Sequence, residues 1–308
     1  MTLQQFEYII AVDRYGHFGK AADACGVTQP TLSLMIKKLE EELDVIIFDR
    51  DSHPVSATLL GRKVIDKAKI VLFNTRQLTE MTLSEKQLSS GELKMAVIST
   101  VAAVLTPGIF KFLLSNYPSI NPIIEDMLSE TIVERLKKAE IDMGIMVSPV
   151  NDPDLLEIPL FHEKFMAYVS PDNPLYAKEE LESTKILDHP VWIMKNGLRQ
   201  FDRSMLKNGE RFVYDKMYEG GRAGTLIYIV NEIGGMTIVP ELHQNLILYS
   251  MQKNLRPIVN PEVSRTISLV IRKDYVHERM LNIVIEAIRN VVPVQNQESM
   301  IRRGPLKL

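Results

Sequence analysis

HFGKAADACGVTQPTLSLMIKKLEEELDVIIFDR, residues 17–50, is the stretch from which the fold can be read. Ala21, Ala22 and Cys25 give its first part a face of small residues on a short helix, 19–25. Gly26-Val27 makes a turn. Thr28 offers a hydroxyl that can cap the next helix, and Pro30 stands in that helix's first turn, where its missing N–H has no partner to lose. Leu32, Ile36, Leu39 and Leu43 then recur at helical spacing. After Asp44 the chain turns extended through VIIFDR and SHPVSATLLG, which suits a two-stranded wing. Upstream, residues 2–13 read as a further helix: Thr2 and Gln5 fit a capping box, and Leu3, Phe6, Ile9 and Ile10 line one face. Residues 1–58 thus read as a winged helix-turn-helix.

The pattern changes twice beyond the wing. Residues 58–88 form a long helical stretch without proline, in which Leu60, Val64, Ala68, Val71, Thr75 and Leu78 make a narrow apolar stripe. With no domain beside it, this linker (59–90) is expected to bury its stripe against a second copy. From residue 91 strands and helices alternate. Strands are expected at 93–98, 123–127, 143–147, 165–170, 191–194, 236–240 and 266–272, and helices at 104–116, 130–139, 200–207, 224–233 and 277–291. The opening βαβαβ order argues for a parallel sheet with helices on its faces. The fold class is α/β: winged helix-turn-helix, linker helix, then a two-lobed domain like a periplasmic binding protein (91–308). Lobe I takes 91–162 and 266–295, and lobe II takes 163–265. Ligands on such sheets bind beyond the carboxyl ends of the strands.

Composition excludes several classes. The 308 residues, 45% hydrophobic and 24% charged, are those of an ordinary globular chain of about two domains. No apolar run is long enough for a membrane span, and the N-terminus is not a signal peptide, so the expected place is the cytoplasm. Cys25 is the single cysteine, which excludes an intrachain disulfide. It reads as a buried core residue. The six histidines are scattered, so neither a metal nor any other cofactor is expected. No Gly-rich nucleotide motif or Ser-His-Asp setting points to an enzyme, and GGRAG (220–224) reads as a turn before a helix. The net charge of −3 does not favour nucleic acid, so DNA contact must come from locally placed cations and amides, doubled by dimerisation.

Residues 17–50 resemble the N-terminal domain of LysR-type transcriptional regulators. Phe18, Ala21, Ala22, Val27, Thr28, Gln29, Pro30, Leu32, Ser33, Ile36, Leu39, Glu40, Leu43, Phe48 and Arg50 match the family pattern in register. The linker and the two-lobed remainder fit its layout. The resemblance implies a regulator, leaning to an activator, that binds double-stranded promoter DNA. It also implies a small effector, a contact with RNA polymerase, and a dimer through the linker assembling as a tetramer. In a recognition helix Gln29 pairs with adenine or a phosphate, Thr31 and Ser33 reach bases or phosphates, and Lys37 reaches the backbone. Arg50 holds a phosphate or braces the domain. Glu40, Glu41 and Glu42 read as a solvated face. In one departure, Leu34 stands where many members carry Arg.

Within the family the likeness is to members that sense peroxide through two cysteines. The matching run here is Gly197-Leu198-Arg199-Gln200-Phe201-Asp202-Arg203, with Asn208 at the second site. Arg199 replaces the first cysteine. Without a thiolate neither sulfenic acid nor disulfide can form, so a two-cysteine switch is excluded. What remains is a cleft: Ser99 and Thr100 after the first strand, Ser129 opening the next helix, Arg199, and Thr225 at another strand-to-helix junction. Hydroxyls with one guanidinium suit a small carboxylate, while Ser99 and Ser129 also read as simple N-caps. Constitutive action, a peroxide response by another chemistry, and a binding protein that does not touch DNA are the alternatives.

Overall fold

The computed structural model describes residues 1–81, 91–186, 189, 191–194, 216–218, 223–275 and 277–297. The chain divides into two compact units, the first of residues 1–81 with Glu134–Ile141, Tyr275 and His277, the second of the other described residues from Gly91 onward.

In the first unit α1 (Leu3–Tyr15), α2 (Phe18–Ala24) and α3 (Gln29–Leu43) lead to a wing, where β1 (Phe48–Asp49) pairs antiparallel with β2 (Ser56–Ala57). The Thr2–Gln5 capping box closes the start of α1, and Gly16 ends it in the left-handed region at φ 58°. His17 caps α2 by accepting from the Gly19 and Lys20 N–H groups, a role the sequence reading missed. Ile9, Val12, Ala21, Leu32, Ile36, Leu39, Ile47 and Phe48 form the core.

Then α4 (Leu59–Met81) packs back onto that core through Ile65 and Ala68. A Cβ on Gly61 would lie 2.0 Å from the Ile47 carbonyl oxygen, so only glycine lets the helix pass so close to the wing. This corrects the expectation of a stripe free of its own domain. Val64 and Ala68 pack inward, whereas Leu60, Val71 and Leu78 stay exposed. The 23 residues of α4 span about 34 Å. Its expected continuation to residue 88 lies outside the described residues.

The second unit opens with β3 (Gly91–Ile98), α5 (Ser99–Asn116), β4 (Ile120–Met127), α6 (Ser129–Lys137) and β5 (Met143–Val147). Here β3 runs parallel to both β4 and β5, as the βαβαβ order implied. Then come β6 (Leu155–Val169), β7 (Leu181–Glu182), α7 (Ser183–Ile186), β8 (Val191–Met194), β9 (Lys216–Tyr218), α8 (Ala223–Ile233), β10 (Met236–Pro240), β11 (Leu255–Val259), β12 (Ser264–Arg272) and α9 (Glu278–Arg289). The strand path is β4-β3-β5-β12-β6-β10-β8-β9, with β11 joining β6 to β7.

The last strand, β12, returns to the first lobe, antiparallel to β5 and β6. Strand β6 serves both lobes. Its residues up to Lys164 pair with β12, and those from Phe165 onward pair with β10 and β11. Only 165–170 reads as strand in the sequence, because Pro159 and the charges of LLEIPLFHEK (155–164) break the apolar alternation. Helix α5 starts five residues before its expected position and carries Pro107 in its interior. Among the described residues no helix is long and apolar enough to cross a membrane.

Candidate functional site

In α3 the side chains separate by face. Leu32, Ile36 and Leu39 are fully buried, while Thr28, Gln29, Pro30, Thr31 and Lys37 are exposed and Ser33 is half-buried. Thr28 is the N-cap: its Oγ accepts the Thr31 N–H at 3.4 Å, and the two threonine hydroxyls lie 2.8 Å apart. Lys37 sits 3.6 Å from Glu41, an exposed pair that leaves its ammonium in water.

Arg50 takes the bracing role. Its guanidinium donates to Glu40 at 3.0 Å and lies 5.3 Å over the Phe18 ring. Its other nitrogen reaches Ser33 Oγ at 3.5 Å. Glu40 is not solvated as expected. Its second oxygen accepts the N–H groups of Ile47 and Phe48 at 2.8 and 3.3 Å, tying α3 to the start of the wing. Glu41 and Glu42 are exposed.

The effector residues scatter. Ser99 is the first residue of α5, not its cap, and donates its hydroxyl to Asp126 at the end of β4. Thr100 turns the other way, into a buried polar cluster. Its hydroxyl accepts from Arg265 at 2.9 Å, and its carbonyl accepts from His243 Nε2 at 2.8 Å. Arg265 in turn donates twice to Glu163, at 2.9 and 2.7 Å, with both side chains almost wholly buried. The Leu242 N–H reaches the other Glu163 oxygen at 3.4 Å. Arg265 and Glu163 face each other on β12 and β6, beside the point where β6 passes between lobes. Sequence reading missed this pair, since no local pattern links residues 102 apart. Burial, ahead of every other cause, holds the His243 imidazole below its ordinary 6.5; Arg265 adds to this, while the Thr100 carbonyl and Glu163 oppose it.

Between the lobes of the second unit lies a cavity of about 580 Å³. Ala102, Phe110, Ile227, Tyr228 and Met251 supply apolar wall, and Ser99, Glu125, Asp126 and His243 the polar part. Of the expected effector residues only Ser99 lines it; Ser129 and Thr225 are half-buried elsewhere, and Arg199 lies outside the described residues. Among the described lining residues there are two carboxylates, Glu125 and Asp126, and no lysine or arginine. The run 197–208 that replaces the cysteine motif and residues 219–222 of GGRAG also lie outside the described residues. Cys25 is half-buried at the end of α2, and burial, then Glu7, pushes its thiol up, away from the reactive thiolate. Among the described residues no group of three histidine, cysteine or acidic side chains is placed to hold a metal.

A winged helix-turn-helix joined to a two-lobed α/β unit defines the class of DNA-binding transcription regulators with an effector domain. The chain belongs to the LysR family: the LysR substrate binding domain matches residues 86–293, and the bacterial regulatory helix-turn-helix protein domain of the lysR family matches residues 3–62. It is 28% identical over 302 residues to a hydrogen peroxide-inducible genes activator of Haemophilus influenzae, covering 95% of this chain and 99% of that one. The DNA-binding transcriptional dual regulator OxyR of Escherichia coli is also 28% identical, over 94% of this chain and 95% of its own. Among solved structures, a full-length OxyR variant from Pseudomonas aeruginosa superposes with a TM-score of 0.83 at 27% identity, covering 97% of this chain and 98% of that one.

Proposed function

We propose that this OxyR-like regulator is a transcription activator that reads a promoter operator through α3 and is controlled by a small molecule, not by a cysteine pair. The observation that carries the reading is the sorting of α3, which buries Leu32, Ile36 and Leu39 and leaves Thr28, Gln29, Thr31 and Lys37 outward on a capped helix. Gln29, Thr31 and Ser33 read bases, Thr28, Pro30 and Lys37 position the helix on phosphates, and Arg50 sets the wing. The domains are those of the sequence reading: 1–58, 59–90 and 91–308.

The cavity beside Ser99 is the effector site. Its volume and its apolar wall with few polar groups suit a small molecule, and its carboxylates favour a neutral or cationic one. The exposed Leu60, Val71 and Leu78 of α4 support a homodimer through the linker, and two such dimers assemble as a tetramer. The protein then works in the cytoplasm with RNA polymerase as partner and performs no catalysis. Gel shift and footprinting of the full chain on a duplex selected from a random pool test the DNA reading: a protected palindromic site is expected, and no protected site at any salt concentration sinks it. Thermal-shift screening of the full chain against small amines, amides and carboxylates tests the effector reading, with stabilisation by carboxylates alone counting against it.

A further inference from the structure

Leu34 is the one large aliphatic side chain that α3 leaves exposed, at 53% of its full accessibility. A single exposed leucine on a protein surface needs no explanation by itself. Its place on this helix does. At 3.6 residues per turn, Leu34 points within about 15° of directly opposite the mean direction of Leu32, Ile36 and Leu39. It is therefore the centre of the outward face, between Thr31 and Lys38 on one side and Pro30 and Lys37 on the other, all exposed. The neighbouring Met35 packs against the core, and its carbonyl accepts from Gln5 at 3.1 Å, so the helix cannot roll to hide Leu34 without losing that contact.

A helix seated in the major groove brings the middle of its outward face deepest toward the base edges. Among the donors and acceptors displayed there stands one apolar group of any size, the C5-methyl of thymine. An isobutyl side chain against a donor or acceptor strips it of water and returns nothing. Against the methyl it buries apolar surface on both partners. Arg50 does not take the place of an arginine at position 34, since it is held by Glu40 and stacked on Phe18.

We propose that Leu34 is a specificity-determining residue that reads a thymine methyl in each operator half-site. The inference rests on α3 being the base-reading helix, and it deepens that reading by assigning one base to one side chain.

The test uses the full chain and the duplex it selects from a random pool. Each thymidine of the selected site is replaced in turn by deoxyuridine, which keeps base pairing and removes only the methyl. One position per half-site is expected to weaken binding about fourfold, the worth of one buried methyl-sized group. Leu34→Ala is expected to abolish that sensitivity, leaving the response to other base changes intact. Leu34→Arg is expected to move the preference at that position toward guanine. Wild-type binding indifferent to every deoxyuridine, or a Leu34→Ala chain as sensitive as wild type, overturns the assignment of Leu34. If Gln29→Ala and Thr31→Ala leave affinity and sequence preference unchanged, or no sequence is selected at all, the reading of α3 fails and takes this proposal with it. Leu34 is outside the core, so circular dichroism of its variants is expected to match wild type.

Discussion

Two arginine–glutamate pairs hold the two units, and they are built differently. At the wing Arg50 meets Glu40 with 43% and 12% of their side chains exposed. At the lobe crossing Arg265 meets Glu163 with 3% and 2% exposed. At the wing the Arg50 end of the pair is open to water, which screens the Coulomb attraction and leaves it worth little by itself. Its use is geometric: Glu40 caps two N–H groups of the wing and Arg50 lies on Phe18. The buried pair has no water to fall back on. Each charge has been desolvated and is compensated by its partner, by Thr100 and the Phe165 ring on the arginine side, and by the Leu242 N–H on the carboxylate side. A surface pair can be lost with small effect, whereas a buried one cannot be half removed.

The contrast is sharpest under single substitution. Glu163→Ala leaves a buried guanidinium without its carboxylate, and a loss of about 3–5 kcal/mol is expected in denaturant unfolding of the second unit. Replacing both partners by apolar residues of like size, Glu163→Leu with Arg265→Met, is expected to recover most of that loss. A double variant as unstable as the single one would mean that the pair itself, not the orphaned charge, carries the effect.

Next in size is Gly61→Ala in the first unit. The added methyl collides with the Ile47 carbonyl, and about 1–3 kcal/mol is expected from the forced shift of α4 against the wing. Unchanged unfolding of the N-terminal unit would show that α4 can move away freely.

The buried cluster also carries a pH signature, worth at most one proton per chain. His243 has a folded pKa below its unfolded 6.5, so the unfolded chain binds the proton more readily. The stabilisation is therefore present above 6.5 and is lost as pH falls from there through the folded value. His243→Gln, which keeps a donor for the Thr100 carbonyl, is expected to flatten this part of the stability–pH curve. A curve that keeps its shape would assign the titration to another group. The smallest effect is expected for Arg50→Gln, under about 1 kcal/mol in stability. Its readout is wing order by hydrogen exchange at Ile47 and Phe48, and a large loss of global stability would erase the distinction between the two pairs.

Legibility followed range. The helix-turn-helix could be read residue by residue because its causes are local: the Thr2–Gln5 box, the Thr28 cap, Pro30 in a first turn, and leucines three and four apart. The strands 143–147, 191–194 and 236–240 were legible with their ends, since continuous apolar runs between polar turns mark buried parallel or central strands. Strand β6 was half hidden because one end serves each lobe, with Glu163 inside the run. The candidate site was legible where a helix face defines it and illegible where folding assembles it. That Gln29, Thr31 and Lys37 stay outside the buried set of α3 followed from the spacing of Leu32, Ile36 and Leu39. Glu40 was misread as solvated because its N–H partners lie seven and eight residues on, across a turn.

The sequence by itself determined the class of domains, their order, the outward and inward residues of α3, and the absence of a second cysteine. Those depend on neighbours along the chain and on which atoms are present at all. Tertiary structure decided where Thr100 points, what Arg265 pairs with, which half of the α4 stripe is covered, and the sign of charge along the described cavity wall. Each of these depends on groups brought together from distant segments, where burial and not spacing sets the energy.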